Sequence, residues 1–119
     1  MGKPITRDKK YVKWIRTQPC LVCFKTPSQA HHYRTAENSG MGIKPADEWC
    51  VPLCHAHHSE LHKTGIKTFS GKYGVDFREE LTRLKGQRYV DRKREVDTLP
   101  LSQKEYEAEI FKITDELGV

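Results

Sequence analysis

Apolar positions near the start of the chain follow a helical spacing. Tyr11, Trp14 and Ile15 recur at intervals of three and four, Val12 widens the stripe and Pro19 ends it, which predicts a short helix over residues 8–17. The pattern then changes. Cys20-Leu-Val-Cys23 places two apolar residues between two thiols, as a tight turn does, and Gln29–Tyr33 reads as the returning strand of a hairpin. Residues 35–48 contain Asn-Ser-Gly, Met-Gly and Lys-Pro and predict a long irregular loop, of a length that in a small domain usually serves function. A second helix is expected to start at Pro52, where a missing N–H does no harm, and to run to about Lys63 before Gly65 ends it. A third starts near Asp76, where Asp-Phe-Arg-Glu fits a capping box, and continues through Leu81 and Leu84, with Gly86 a point of bending or breaking. The last follows Leu99-Pro100. There Ser102-Gln-Lys-Glu105 is another capping box, and Tyr106, Ile110, Ile113 and Leu117 form its apolar stripe.

These elements fit one domain, with 119 residues of which 36% are hydrophobic and 31% charged. Residues 1–85 read as a core with its N-terminal helix, and residues 86–119 as a charged segment and C-terminal helix packing on that core or extending from it. A domain this small has a thin margin of stability, so a staple is expected. No apolar run approaches the ~20 residues of a membrane span. Met1–Lys10 lacks the apolar stretch of a secretory signal, so a cytoplasmic location is expected. In that compartment four cysteines favour metal ligation over disulfides.

Charge narrows the partners. The net charge is +5, yet residues 95–119 hold seven acidic and two basic residues, leaving 19 Lys and Arg against nine Asp and Glu in the rest. Basic groups gather at Lys3–Arg16 and Arg78–Arg94, on either side of the Cys/His-rich middle. Such a field attracts polyanions and speeds encounter with nucleic acid, although a merely solvated surface has the same composition.

All six histidines and all four cysteines fall between Cys20 and His62. Thiolate and imidazole suit zinc and related transition metals. Cys20-x-x-Cys23 with Cys54-x-x-His57 offers two ligands from a turn and two from the first turn of a helix, a closed tetrahedral site of the structural kind. Cys50 is an alternative ligand, because Cys50-x-x-x-Cys54 also spaces two thiols suitably. A disulfide or free buried thiols are the metal-free alternatives. On a helix His58 and His62, four apart, share a face and can grip one ion. His31 and His32 are adjacent in a strand and point to opposite sides, so one can join that ion while the other does different work. Three imidazoles with open positions make a catalytic rather than a structural site. Otherwise His58 and His62 are simply surface histidines.

At this point the residues resemble a family. His-His, a loop, then Leu-Cys-x-x-His-His-x-x-x-His resembles the HNH (ββα-metal) endonuclease superfamily. Trp49 to His62 is similar to its phage-encoded, Ref-like branch of recombination nucleases, as are residues 11–20 and Lys72-Tyr-Gly-Val-Asp-Phe77. The resemblance covers roughly residues 8–85. It implies an α+β fold, a small ββα-metal core with a structural zinc site and additional flanking helices. It implies His32 as general base and His31, His58 and His62 as ligands of a catalytic divalent metal (Mg2+, Mn2+, Ni2+ or Zn2+). Arg34, Lys63 and His55 are candidates for binding phosphate. The expected activity is hydrolysis of DNA phosphodiester bonds with little sequence preference, in phage or prophage recombination and in the host cytoplasm. By analogy a host recombinase filament is a partner. Trp49 stands where the family usually has the asparagine that orients the base, so Asp47, Glu48 or a loop carbonyl must take that task. Imidazole titrates near pH 6.5, so activity is expected to fall below about pH 6. Two other classes fit the sequence: a zinc-stabilised nucleic-acid-binding module without catalysis, and an accessory protein acting through its acidic C-terminal helix.

Overall fold

Asp8 starts the first helix, its side chain accepting the Tyr11 N–H at 3.1 Å, and α1 spans Lys9–Thr17. The computed structural model describes residues 7–35 and 45–118, so the basic segment before Arg7 and most of the expected 35–48 loop lie outside the described residues. Tyr11 and Ile15 are buried, and full burial of such side chains contributes about 1.5–3 kcal/mol each. Both anchor α1 in the core.

Two short strands follow, β1 (Gln29–His32) and β2 (Cys50–Leu53), the second entered from a 3-10 turn at Asp47–Trp49. They pair antiparallel, with Ala30 opposite Pro52, His31 opposite Val51 and His32 opposite Cys50. Pro52 is therefore a strand residue and not the start of a helix. Its missing N–H removes no ladder bond that a two-stranded sheet needs, and its carbonyl accepts the Leu21 N–H at 3.1 Å. Every residue of β2 is buried, as its unbroken apolar run requires. Two strands alone are marginal in water, and here α1 and the next helix both pack on them.

That helix, α2, spans His55–Thr64, with Cys54 as its capping residue and Gly65, at φ +85°, ending it. A separate helix α3 (Ile66–Tyr73) follows directly, burying Phe69 and closing at Gly74 in the left-handed conformation. The sequence pattern missed α3 because Gly65 reads as a terminator into loop. α4 (Phe77–Asp97) starts where the Asp76 carboxylate accepts the N–H groups of Arg78 and Glu79. It runs unbroken through Gly86, whose cost of about 1 kcal/mol against alanine is too small to end a helix of this length. α5 (Gln103–Leu117) starts at Ser102, whose hydroxyl accepts the Glu105 N–H at 3.2 Å.

The chain divides into two units, one ending at Leu81 and the other beginning at Thr82. In the first, Ile15, Val51, Leu53 and Phe69 are wholly buried around the sheet. In the second, Leu84, Val96, Ile113 and Leu117 are buried. The fold class is α+β. Among the described residues no helix is long and apolar enough to cross a membrane.

Candidate metal centres

The turn at Cys20–Lys25 is built for a thiolate. The Cys20 N–H donates to the Lys25 carbonyl and the Phe24 N–H to the Cys20 carbonyl, each at 3.0 Å. Phe24 takes a positive φ of 61°, which a bulky residue adopts only under constraint. The Val22 N–H points at Cys20 Sγ from 3.4 Å. Burial pushes the Cys20 thiol up, but backbone N–H groups of Cys23, Cys54 and Val22 outweigh it and bring it down to about 6.

Opposite this turn stand Cys54 and His57 at the start of α2. Cys23 and Cys54 sulfurs are 3.7 Å apart, Cys20 Sγ is 3.6 Å from His57 Nδ1, and Cys54 Sγ is 3.2 Å from the same nitrogen. A tetrahedron with Zn–S bonds of about 2.3 Å and Zn–N bonds of about 2.0 Å has edges of about 3.8 Å (S···S) and about 3.5 Å (S···N). The four donors, all within 4.8 Å of one another, fit a metal such as zinc. Cys50 is not among them.

The second group joins β1 to the other side of α2. His31 Nδ1 is 3.2 Å from His58 Nε2, and His62 Nε2 is 3.0 Å from that same atom. Metal–nitrogen bonds of about 2.0–2.1 Å place neighbouring nitrogens about 2.9 Å apart at right angles and about 3.3 Å apart in a tetrahedron. These imidazoles can therefore share one ion. Burial, and then repulsion from His58 and His62, push His31 down to about 4, and burial with repulsion from His62 and His55 lowers His58. Both therefore offer neutral nitrogens at physiological pH.

His32, one residue along the strand, leaves this group. Its Nε2–H donates to Asp47 Oδ1 at 2.8 Å, while Asp47 Oδ2 accepts the Asp8 N–H at 2.6 Å. Burial raises the Asp47 carboxyl, but the His32 bond, the Asp8 N–H and Arg7, 3.6 Å away, outweigh it and hold it below the usual carboxylate range. The carboxylate accepts from Nε2, so Nδ1 is left as the lone-pair nitrogen of neutral His32. Of the orienting groups the sequence offers, Asp47 is bonded to His32, and half-buried Trp49 lies beside Tyr33. The Cys50 thiol falls with His32 and Asp47, across the ladder from His32.

An open cleft of about 550 Å³ is lined by His31, His32, Arg34, His58 and His62, together with Ala30, Leu61, Gly65 and Ile66. Lys63 and His55 are exposed and lie outside that lining. One residue that sequence reasoning passes over is Gln29. It accepts the His58 Nδ1–H at 2.7 Å and donates toward His55 Nδ1 at 3.3 Å. A lone polar residue opening a strand carries no signal of such a role.

The chain has relatives. Residues 3–87 match the model of a family described as a protein of unknown function, DUF968. The uncharacterized protein YdfU of Escherichia coli (strain K12) is 42% identical over 66 residues, 56% of this chain and 19% of that one, so the chain spans about a fifth of its length. No solved structure matches the chain.

Proposed function

The chain belongs to the DUF968 family, and we propose that it is a metal-dependent DNA endonuclease of the HNH kind. The observation that carries the reading is the cleft itself. It gathers three imidazoles close enough to share a metal ion and, on the next strand residue, a histidine bonded to a carboxylate. The order β1, β2, α2, with His31 on the first strand and His58 and His62 on the helix, supports a ββα-metal core.

Each residue then has a task. His32, with its proton on Nε2 and its lone pair on Nδ1, takes a proton from water as that water attacks phosphorus. Asp47 holds the ring in this tautomer and stabilises the imidazolium that forms. His31, His58 and His62 would hold a divalent cation, which would supply positive charge to offset the negative charge developing on the phosphate and the leaving oxygen. Arg34, exposed at the cleft edge, binds a phosphate oxygen. Cys20, Cys23, Cys54 and His57 hold a structural zinc that fixes the start of α2. Lys and Arg of α1 and of residues 78–94 contact the backbone without reading bases, so sequence preference is weak.

Cleavage of supercoiled plasmid tests the reading. Protein retaining zinc at the thiolates is stripped of other metal and resupplied with Mg2+, Mn2+, Ni2+ or Zn2+, with His32→Ala alongside. Metal-dependent nicking that disappears in the variant is the expected result. DNA binding without nicking under any metal would replace this reading with a zinc-stabilised binding module.

A further inference from the structure

Three imidazole nitrogens make one metal group only if each ring presents a lone pair to it. For His31 the donor is Nδ1, and for His58 and His62 it is Nε2. A neutral imidazole carries its single proton on one nitrogen or the other, and in water His58 is free to carry it on the wrong one. Something must therefore hold the His58 proton on Nδ1.

We infer that Gln29 is the positioning residue of the three-histidine centre, fixing His58 in the tautomer whose Nε2 faces His31 and His62. Its Oε1 accepts the His58 Nδ1–H at 2.7 Å, the shortest hydrogen bond that His58 makes among the described residues. Strand alternation explains why this residue can do it. Gln29 and His31 are two apart on β1 and share a face, so ligand and outer partner reach α2 from one side while His32 turns to Asp47. The amide itself is held in place. Its Nε2 donates toward His55 Nδ1 at 3.3 Å, which resists the flip that would present an NH2 to His58. His55 thus acts on the metal centre through Gln29 rather than on phosphate. Outer partners of metal-bound histidines typically change metal affinity by about 10- to 100-fold.

The inference rests on the three-histidine centre proposed above, and the test separates the two. Ni2+ affinity of the full chain, zinc-loaded at the thiolates, is measured by calorimetry for wild type, Gln29→Met, Gln29→Glu and His58→Ala. Nitrogen NMR of the nickel-free protein reads the His58 tautomer. Expected are a His58 proton on Nδ1 in wild type, a mixed tautomer and a loss of about 10- to 100-fold in Gln29→Met, and near-normal affinity in Gln29→Glu, which restores an acceptor. Gln29 is exposed, so a retained zinc content and helical signal show that Gln29→Met has folded. A His58 proton on Nε2 in wild type, or wild-type affinity and tautomer in Gln29→Met, would overturn the role of Gln29. Nickel binding indifferent to His58→Ala would instead overturn the three-histidine centre, with the tautomer measurement still deciding on Gln29.

Discussion

Asparagine in place of Asp47 divides a carboxylate that serves two donors. Oδ1 accepts from His32 Nε2 at 2.8 Å and Oδ2 from the Asp8 N–H at 2.6 Å. Asparagine has a single carbonyl oxygen, so one donor keeps an acceptor and the other meets an NH2 group. If the carbonyl stays on Asp8, His32 loses this bond. If it turns to His32, a charge-assisted bond becomes a neutral one and the imidazolium loses its counter-charge. Hydrogen bonds to charged groups contribute about 1.5–3 kcal/mol, and at about 1.4 kcal/mol per decade this amounts to a 10- to 150-fold loss in turnover. Asp47→Ala removes both acceptors and belongs at the upper end, with a lower melting temperature because the start of α1 loses its tether. The assay is single-turnover plasmid nicking at neutral pH, with metal content measured in parallel. Asp47 is not one of the three imidazole ligands, so metal occupancy should be unchanged. Turnover at the wild-type rate in Asp47→Asn, or a loss fully explained by missing metal, would refute the argument.

Two further outcomes follow from the metal groups. Cys54→Ser removes one of four donors from a site type contributing about 10–16 kcal/mol in small zinc domains, against a total stability of about 5–15 kcal/mol. The variant should lose one zinc by native mass spectrometry and the cooperative unfolding of the unit ending at Leu81; a zinc-loaded variant melting like wild type would contradict this. His31, pushed down to about 4 from an ordinary imidazole value near 6.5, is protonated more readily in the unfolded chain than in the folded one. Protein free of metal at the imidazoles should therefore keep its stability above about pH 6.5 and lose it as the pH falls toward about 4, and His31→Asn should flatten that slope in thermal melts.

The sequence made some of this legible and hid the rest for physical reasons. α1 was bounded by its apolar spacing and Pro19, and α5 by the Ser102 capping box, because local hydrogen bonds decide both ends. The ligand grouping was legible too, since helical and strand periods fix which of His31, His32, His57, His58 and His62 can face the same way. Pro52 reads as the first turn of a helix because proline fits both a helix start and a strand, and only its partner strand β1, about 20 residues away in sequence, decides between them. Asp47 stood among three candidates, and its selection depends on the 3-10 turn that carries it toward His32. Gln29 had no periodic or compositional mark, because its task exists only once β1 lies against α2.

α2 buries a single side chain, Leu61, and so has little apolar grip of its own on the sheet. It carries instead donors of two candidate metal groups, Cys54 and His57 on one side and His58 and His62 on the other. Successive residues turn by about 100°, so His57 and His58 serve different centres from adjacent positions on one rigid rod. The two centres are thereby interlocked. No residue can be inserted or deleted between them without swinging one set of donors out of line, and neither set can adjust without dragging the other.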